Sequence, residues 1–362
     1  MKLLSKTLLF LFLLPALAMA TNGKMKGKYT KEKTIKKEFN VNSGAGLNVT
    51  NSYGNIDIVT WGESRTVIEV TIKTNGDNEE KVIERLKEIN IDFSGNASLV
   101  TAKTIFNEKK SGWSWWGSNN KNNVSVEVNY SIKLPITNTV DLNNDYGAIH
   151  INKLKGNAKI NCDYGQLIIG ELLADNNYLT FDYTDKSTIG YMKSGRINAD
   201  YSGFTLEKTE RLELTADYTK SEIIEAQSIN YNCDYGKVII GKAQEVIGRG
   251  DYVNNQIGTV TGSINLNTGY GSIRIDNMTS TANNITIKAD YTGIKLGFNS
   301  GYNFDFIVDL SYASLKGEED VTVLKSSKDY TSRNYSGYHG KQNSGNTVNI
   351  NSDYGGVTFI KN

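Results

Sequence analysis

A tyrosine-centred unit recurs along this chain at an almost fixed interval, and a fold with one irregular core would not keep such a ladder. The segment Ile160-Asn161-Cys162-Asp163-Tyr164-Gly165-Gln166-Leu167-Ile168-Ile169 returns as Tyr231-Asn232-Cys233-Asp234-Tyr235-Gly236-Lys237-Val238-Ile239-Ile240. Weaker copies centre on Tyr53, Tyr146, Tyr183, Tyr201, Tyr218, Tyr252, Tyr270, Tyr291, Tyr312 and Tyr354. From Tyr146 to Tyr270 the successive spacings are 18, 19, 18, 17, 17, 17 and 18 residues; two steps of 21 follow, and then one of 42. The last step fits two units with one tyrosine missing or displaced.

Inside a unit, apolar residues alternate with polar ones on both sides of the tyrosine, and the parity changes at Tyr-Gly. Alternation of period 2 marks half-buried strands, and the parity change marks a corner between two of them. Neither strand buries its apolar face alone, so the units must stack in parallel at about 4.8 Å to share a core. The expected fold is all-β: a parallel β-solenoid (β-helix) of about 12 rungs of 17–21 residues, with one short capping helix near the N-terminus. Its structural ladder runs through Asp145, Tyr146, Asp163, Tyr164, Asp182, Tyr183, Asp200, Tyr201, Asp217, Tyr218, Asp234, Tyr235, Asp251 and Tyr252. The tyrosine shares the parity of the preceding apolar residues, which places its ring at or over the inner corner. The residue two before it (Cys162, Ala199, Ala216, Cys233, Ala289) is small and expected to point inward.

The ends and the composition set the compartment. Lys2 and Lys6, the apolar run Leu8–Leu14 and Ala18-Met19-Ala20 form a secretory signal peptide over residues 1–20, too short to span a membrane. Cleavage before Thr21 removes two lysines and takes the formal charge from +1 to −1. A balance so near neutral argues against nucleic acid as partner. No later run reaches the roughly 20 apolar residues of a membrane helix. The expected locations are periplasm, outer surface or medium. With 34 glycines and 2 prolines, the composition suits many paired strands and tight turns.

Four stretches fall outside the ladder. Residues 21–38 carry seven lysines and are expected to be a solvated basic leader, with attraction to anionic lipid or polysaccharide as the sharper alternative. Residues 39–140 hold the first rung and an insertion with a capping helix at 77–89, opened by Asp77-Asn78-Glu79-Glu80 and expected to cover one end of the core. The Trp-rich loop 111–120 places Trp113, Trp115 and Trp116 among Gly, Ser and Asn, where no amphipathic period buries all three; these are the candidate binding residues. Either they contact sugar, membrane or protein, or the loop folds back over a face of the body. The solenoid 141–362 is interrupted by a polar insertion loop at 325–346.

No catalytic set, metal site, cofactor or disulfide is expected. The aspartate column could suggest Ca²⁺, but no second acidic position repeats in phase, and each Asp suits an Asx-turn in its own corner. Cys162 and Cys233 lie four rungs apart, about 19 Å at strand spacing and beyond disulfide reach. His150 and His339, the only histidines, have no ligand or triad partners at suitable spacing. Asp185, Lys186 and Arg196 lie near the least regular rung without converging on anything.

The unit Leu47-Asn48-Val49 with Tyr53-Gly54-Asn55-Ile56-Asp57-Ile58, then Trp61-Gly62 and Ile68-Glu69-Val70, resembles the start of the bacterial "putative adhesin" domain family; so do the 124–135 strand and the Tyr-Gly rungs. The resemblance covers most of residues 39–362. It implies an exported β-helical protein, common in Gram-negative bacteria, with an adhesion-like role. That role is non-catalytic display of a surface to a cell-surface glycan or envelope protein. A polysaccharide-active β-helix enzyme and a purely structural envelope component are the alternatives.

Overall fold

The computed structural model describes residues 25–107 and 124–362. The signal segment 1–20 and the Trp-rich loop lie outside the described residues. The fold is all-β with one α-helix, and the chain divides into two compact units, Met1–Ile151 and Asn152–Asn362.

The first unit holds β1 (Tyr29–Asn40), β2 (Gly46–Ser52), β3 (Ile56–Trp61), β4 (Arg65–Gly76), α1 (Glu79–Glu88), β5 (Ile89–Gly95), β6 (Leu99–Phe106), β7 (Ser125–Pro135), β8 (Thr139–Asp145) and β9 (Ala148–Leu154). β2 runs parallel to both β6 and β8, and β3 parallel to both β7 and β9. Antiparallel pairing then takes over: β5 on β6, and β1–β4–β7. The free edges of the first rung are therefore closed by strands. Helix α1 lies instead on β4 and β1, with Val82 fully buried and Asn78 capping its N-terminus by accepting from the Lys81 N–H at 3.1 Å. The expectation of a helix over the core's end is corrected here. The edges of β2 and β3 are already paired by β6 and β7, which leaves the helix no open strand edge of that rung to cover.

The basic leader is corrected as well. From Tyr29 it forms a twelve-residue strand in register with β4. Tyr29, Ile35 and Phe39 take alternate positions on its half-buried face together with Lys31, Lys33 and Lys37. Lys31 pairs with Glu79 at 2.6 Å, and the Lys33 ammonium donates to the Ile89 carbonyl at the end of α1 at 2.6 Å. Burial holds Lys33 below the usual lysine range. A cation at a helix C-terminus is the favourable end, so two of these lysines serve the local fold.

The second unit is two sets of parallel strands whose apolar faces meet. Strands preceding the ladder tyrosines are β10 (Ala158–Asp163), β12 (Asn177–Asp182) and the later halves of β13 (Ser187–Asp200), β14 (Gly203–Asp217), β15 (Lys220–Asp234) and β16 (Gly236–Asp251). Those following them are β11 (Gln166–Leu172), the earlier halves of β13 to β16, and β17 (Val253–Val260). The pattern continues with β18 (Ile264–Gly269), β19 (Ser272–Met278), β20 (Ile285–Asp290), β21 (Gly293–Phe298), β22 (Phe304–Ser311) and β23 (Leu315–Lys316). Register is kept residue for residue, as in Ala199↔Ala216↔Cys233 on one side and Ile189↔Leu206↔Ile223↔Ile240↔Ile257 on the other. The two faces touch where Phe181 meets Phe204 edge-on at 5.5 Å and where the Tyr231 hydroxyl donates to Asn255 Oδ1 at 2.6 Å.

Two features differ from expectation at the C-terminal end. Residues 325–346 are no loop: β24 (Thr322–Lys328) and β25 (Ser332–His339) form an antiparallel hairpin, and β25 pairs antiparallel with β22. Alternation of Arg333, Tyr335 and Gly337 with polar residues carried the strand signal, hidden by its Ser, Asn and Lys content. The 42-residue step does not mark a lost tyrosine either. β26 (Thr347–Asp353) lies between β20 and β22, parallel to both, and β27 (Val357–Lys361) lies between β21 and β23. The last segment of the chain is threaded between two earlier rungs.

Candidate binding surfaces

All twelve ladder tyrosines adopt left-handed backbone, with φ between 48° and 64°. This conformation costs an L-residue roughly 1–2 kcal/mol. It also turns the side chain, so the rings lie outside the corner and not within it. Unit-two rings stand about half exposed, 47–61%. That corrects the inward placement expected from parity: parity assumes extended backbone at the tyrosine, and the left-handed residue breaks it.

The rings stack face to face. Tyr53 and Tyr146 pair at 5.3 Å in the first unit. In the second, the order is Tyr164, Tyr183, Tyr201, Tyr218, Tyr235, Tyr252, Tyr270, Tyr291, Tyr354, Tyr312, with centroids 4.7–5.1 Å apart and planes within 11°. Each pair contributes about 0.5–1.5 kcal/mol beyond area burial. The strain and the stacking thus offset each other. Tyr218→Val is expected to lose both stacks and keep a β-branched residue in left-handed backbone, whereas Tyr218→Gly loses the stacks but relieves the strain. Urea unfolding should find the Val variant about 1–2 kcal/mol less stable than the Gly variant. Equal stability would mean the backbone is free to relax.

From Asp163 to Asp234 the aspartate carboxylates reach the next rung, where an Asx-turn within the corner was expected. The Asp182 N–H donates to Asp163 Oδ1, Asp200 to Asp182, Asp217 to Asp200, Asp234 to Asp217 and Asp251 to Asp234, at 2.7–3.3 Å. In return each of these aspartate carbonyls accepts from the tyrosine N–H of the unit before, as Tyr183 to Asp200 at 3.1 Å and Tyr201 to Asp217 at 3.0 Å. From Tyr164 to Tyr235 each Asp-Tyr step is therefore a two-bond clamp between adjacent rungs. Burial, then the charges of Asp163 and Asp200, raises Asp182 above the usual carboxylate range, against the lowering effect of the Asp200 N–H. A raised folded-state value means that ionisation of Asp182 opposes folding above it, an opposition relieved as pH falls. Asp182→Asn keeps an acceptor and drops the charge. It should match or exceed the parent in stability at pH 7, with the gap closing as pH falls through the carboxylate range in thermal melts. A gap that widens toward low pH contradicts this.

Along the return bend of the same unit runs an open groove of about 520 Å³ lined by Ser194, Glu210, Arg211, Ser228, Gln244 and Glu245 among others. Its side chains are polar throughout. The Tyr191 hydroxyl donates to Glu210 Oε1 at 3.0 Å and the Ser228 hydroxyl to Glu245 Oε2 at 3.1 Å. Lys193 and then Ser194, both donating to its carboxylate, hold Asp175 below the usual range. Repetition at rung spacing makes this a linear array of hydrogen-bonding groups. Of the residues singled out near the least regular rung, Arg196 pairs with Glu213 across strands, and Asp185 and Lys186 sit on the turn before β13.

Cys162 and Cys233 are both buried in the inward slot, and burial pushes the Cys233 thiol up to about 12. His150 pairs with Asp57 between β9 and β3. His339 is buried against Phe298 and Phe304, its Nδ1 2.6 Å from the Tyr302 carbonyl. Among the described residues no three His, Cys, Asp or Glu side chains gather as a metal site, and no helix is long and apolar enough to cross a membrane.

Trp113, Trp115 and Trp116 lie outside the described residues, but both anchors of their segment are defined. Phe106 packs edge-on against Tyr53 at 5.8 Å under the Arg85 guanidinium, and the Asn107 N–H donates to the Glu88 carbonyl. The chain resumes in β7, where Ser125 pairs with Asn75. The fourth tryptophan, Trp61, is held between Arg65 and Lys133, its indole N–H donating to the Arg65 carbonyl.

No protein-family model and no curated protein matches the chain. Several solved structures do. A putative cell adhesion protein from Clostridium sporogenes is 12% identical, covers 92% of this chain and 100% of its own, and has a TM-score of 0.19. A putative adhesin from Parabacteroides distasonis is 14% identical over 74% of this chain and 92% of its own, TM-score 0.30. One from Bacteroides fragilis is 10% identical over 94% and 100%, TM-score 0.26. The chain is similar to structures called putative adhesins, the family its motifs also resemble.

Proposed function

We propose that the chain is a non-catalytic, exported, adhesin-like β-solenoid of about 12 rungs of 17–21 residues. Its outer columns and loops are displayed to a cell-surface glycan or an envelope protein. The observation that carries this is the unbroken outer ladder of the second unit. Ten rings stack in one file. Such regularity favours repeated weak contacts along an extended partner, with the clamped corners keeping the surface rigid. Trp113, Trp115 and Trp116 supply aromatic anchors, since exposed indoles stack on sugar rings and dominate contact energetics. The test is a glycan array with mature protein and its Trp113/Trp115/Trp116→Ala variant. Binding that falls at least tenfold in the variant is expected; binding unchanged by the substitution removes the tryptophans, and no binding to any glycan favours the structural component.

One observation favours a second reading. The groove with Glu210, Arg211 and Glu245 has the composition that a polysaccharide-active enzyme would use. Incubation with acidic polysaccharides should yield no new reducing or unsaturated ends under the first reading and would yield them under the second.

A further inference from the structure

The C-terminal segment fills a gap that the rest of the chain leaves open. β26 pairs with β20 from Ile285↔Val348 to Asp290↔Asp353, and with β22 from Asp305↔Thr347 to Ser311↔Asp353. β27 continues between β21 and β23. Tyr354 enters the ladder between Tyr291 at 4.7 Å and Tyr312 at 4.8 Å. Val348, Ile350, Ser352, Val357 and Phe359 are all buried, the last edge-on to Phe306 at 5.5 Å. Corner bonds run both ways: Tyr291 N–H to the Asp353 carbonyl at 2.8 Å, and Tyr354 N–H to the Ser311 carbonyl at 2.9 Å.

Take that segment away and two strand edges face each other across about 10 Å, twice the strand spacing. Both carry backbone donors and acceptors without partners, which is the condition for capturing an added strand. On the far side β22 is already held by β25, so nothing else in the described chain is left to fill the gap. We infer that the slot between β20–β21 and β22–β23 is a strand-acceptor site. It recognises an extended strand with inward apolar or small residues at alternate positions around a tyrosine, and takes the C-terminal segment of a second copy whenever its own is released. Release has to open the bonds by which the Lys341 and Asn343 N–H groups and the Ser344 hydroxyl hold the turn between β25 and β26 to Asn303 and Asp305. Lys341, Gln342 and Asn343 are exposed, and Gly340, Asn343 and Gly345 hold left-handed backbone. Strand exchange through this slot would join copies with the pairing already seen within one chain. The inference does not depend on what the outer surface binds.

The test uses the full mature chain with a protease recognition sequence placed between Asn343 and Ser344. After cleavage, the fragment from 344 onward is expected to co-elute with the body. A fluorescent synthetic peptide of residues 346–362 should replace it in urea just sufficient to release the fragment. The same peptide with Ile350→Asp and Val357→Asp should exchange at least a hundredfold less well. Equal exchange by both peptides overturns the inference. So does a body that refuses the parent peptide after the fragment has left. On the uncut chain, hydrogen exchange supplies an independent reading: amides of Val348–Asp353 should be as protected as those of Ile285–Asp290, and edge-like exchange would overturn the slot geometry.

Discussion

A chain lacking residues 202–218 is expected to fold and unfold cooperatively, whereas one lacking Leu214 alone is expected not to fold. The long deletion removes one full rung, because neighbouring rungs in this stretch are offset by 17 residues. Tyr201 would then be followed by Thr219, and β15 would occupy the register that β14 holds on β13. Ser221 would stand where Phe204 stood, Ile223 for Leu206, Ile229 for Leu212 and Cys233 for Ala216. In a stack held by nearest-neighbour interfaces the loss is one rung and its contacts, and the new interface replaces most of it. Loss of one residue inside the strand shifts the parity instead, and a one-residue slip turns every inward side chain outward. Each large buried side chain so displaced costs about 2–5 kcal/mol, more in total than a domain's net stability. Circular dichroism and thermal melts separate the two outcomes: native-like strand signal with a modest fall in Tm for the long deletion, none for the short one.

The second large effect lies at Gly248. It pairs with Tyr231 on the adjoining strand, and a Cβ at this position would lie 2.1 Å from the tyrosine Cζ. Tyr231 is the one tyrosine on an inward position of this column, fully buried, with its hydroxyl donating to Asn255 Oδ1. Burial raises its pKa, so that hydroxyl stays neutral and keeps its proton for the bond. Gly248→Ala should cost roughly 3 kcal/mol, the upper end for overpacking a core. In a Tyr231→Leu background the same substitution should cost under about 1 kcal/mol, because the ring is gone. Tyr231→Leu is itself destabilising through the unmet Asn255 acceptor. Denaturant unfolding of the four proteins in the cycle checks this, and a Gly248→Ala cost equal in both backgrounds would contradict the stacking of these two rungs.

Much of this architecture is legible in the sequence, because an in-register stack writes its period into the chain. Every tyrosine picked out by spacing takes the same left-handed corner, and the small slot of Cys162, Ala199, Ala216, Cys233 and Ala289 is buried throughout. What spacing cannot carry is order in space. Tyr354 stacks between Tyr291 and Tyr312 although it follows both, and nothing in a run of residues marks a segment that returns to an earlier gap. Parity misplaced the rings because tyrosine is not a usual left-handed residue; the change of alternation at Tyr-Gly was the available signal. β1 and β25 concealed their alternation under polar composition, yet Tyr29, Ile35 and Phe39 share one face of β1, and Tyr335 and Gly337 share one face of β25. Of the candidate site, the clamped Asp-Tyr column was visible as a motif. The inter-rung direction of its bonds was not, since an Asx-turn and a cross-rung bond need the same residue.

The central claim is that successive units of residues 152–362 lie directly above one another. The outward column Thr188, Thr205, Glu222, Ile239, Gln256, Arg274, Lys295 follows the observed register from rung to rung. Spin labels placed in pairs, with Cys162 and Cys233 replaced by Ala, allow pulsed electron resonance to measure it. Thr188 with Gln256, Arg274 or Lys295 spans four, five or six strand steps, so backbone separations of about 19, 24 and 29 Å are expected. Mean distances rising by a constant increment near 4.8 Å support the stack. Distances that fail to rise in order contradict it.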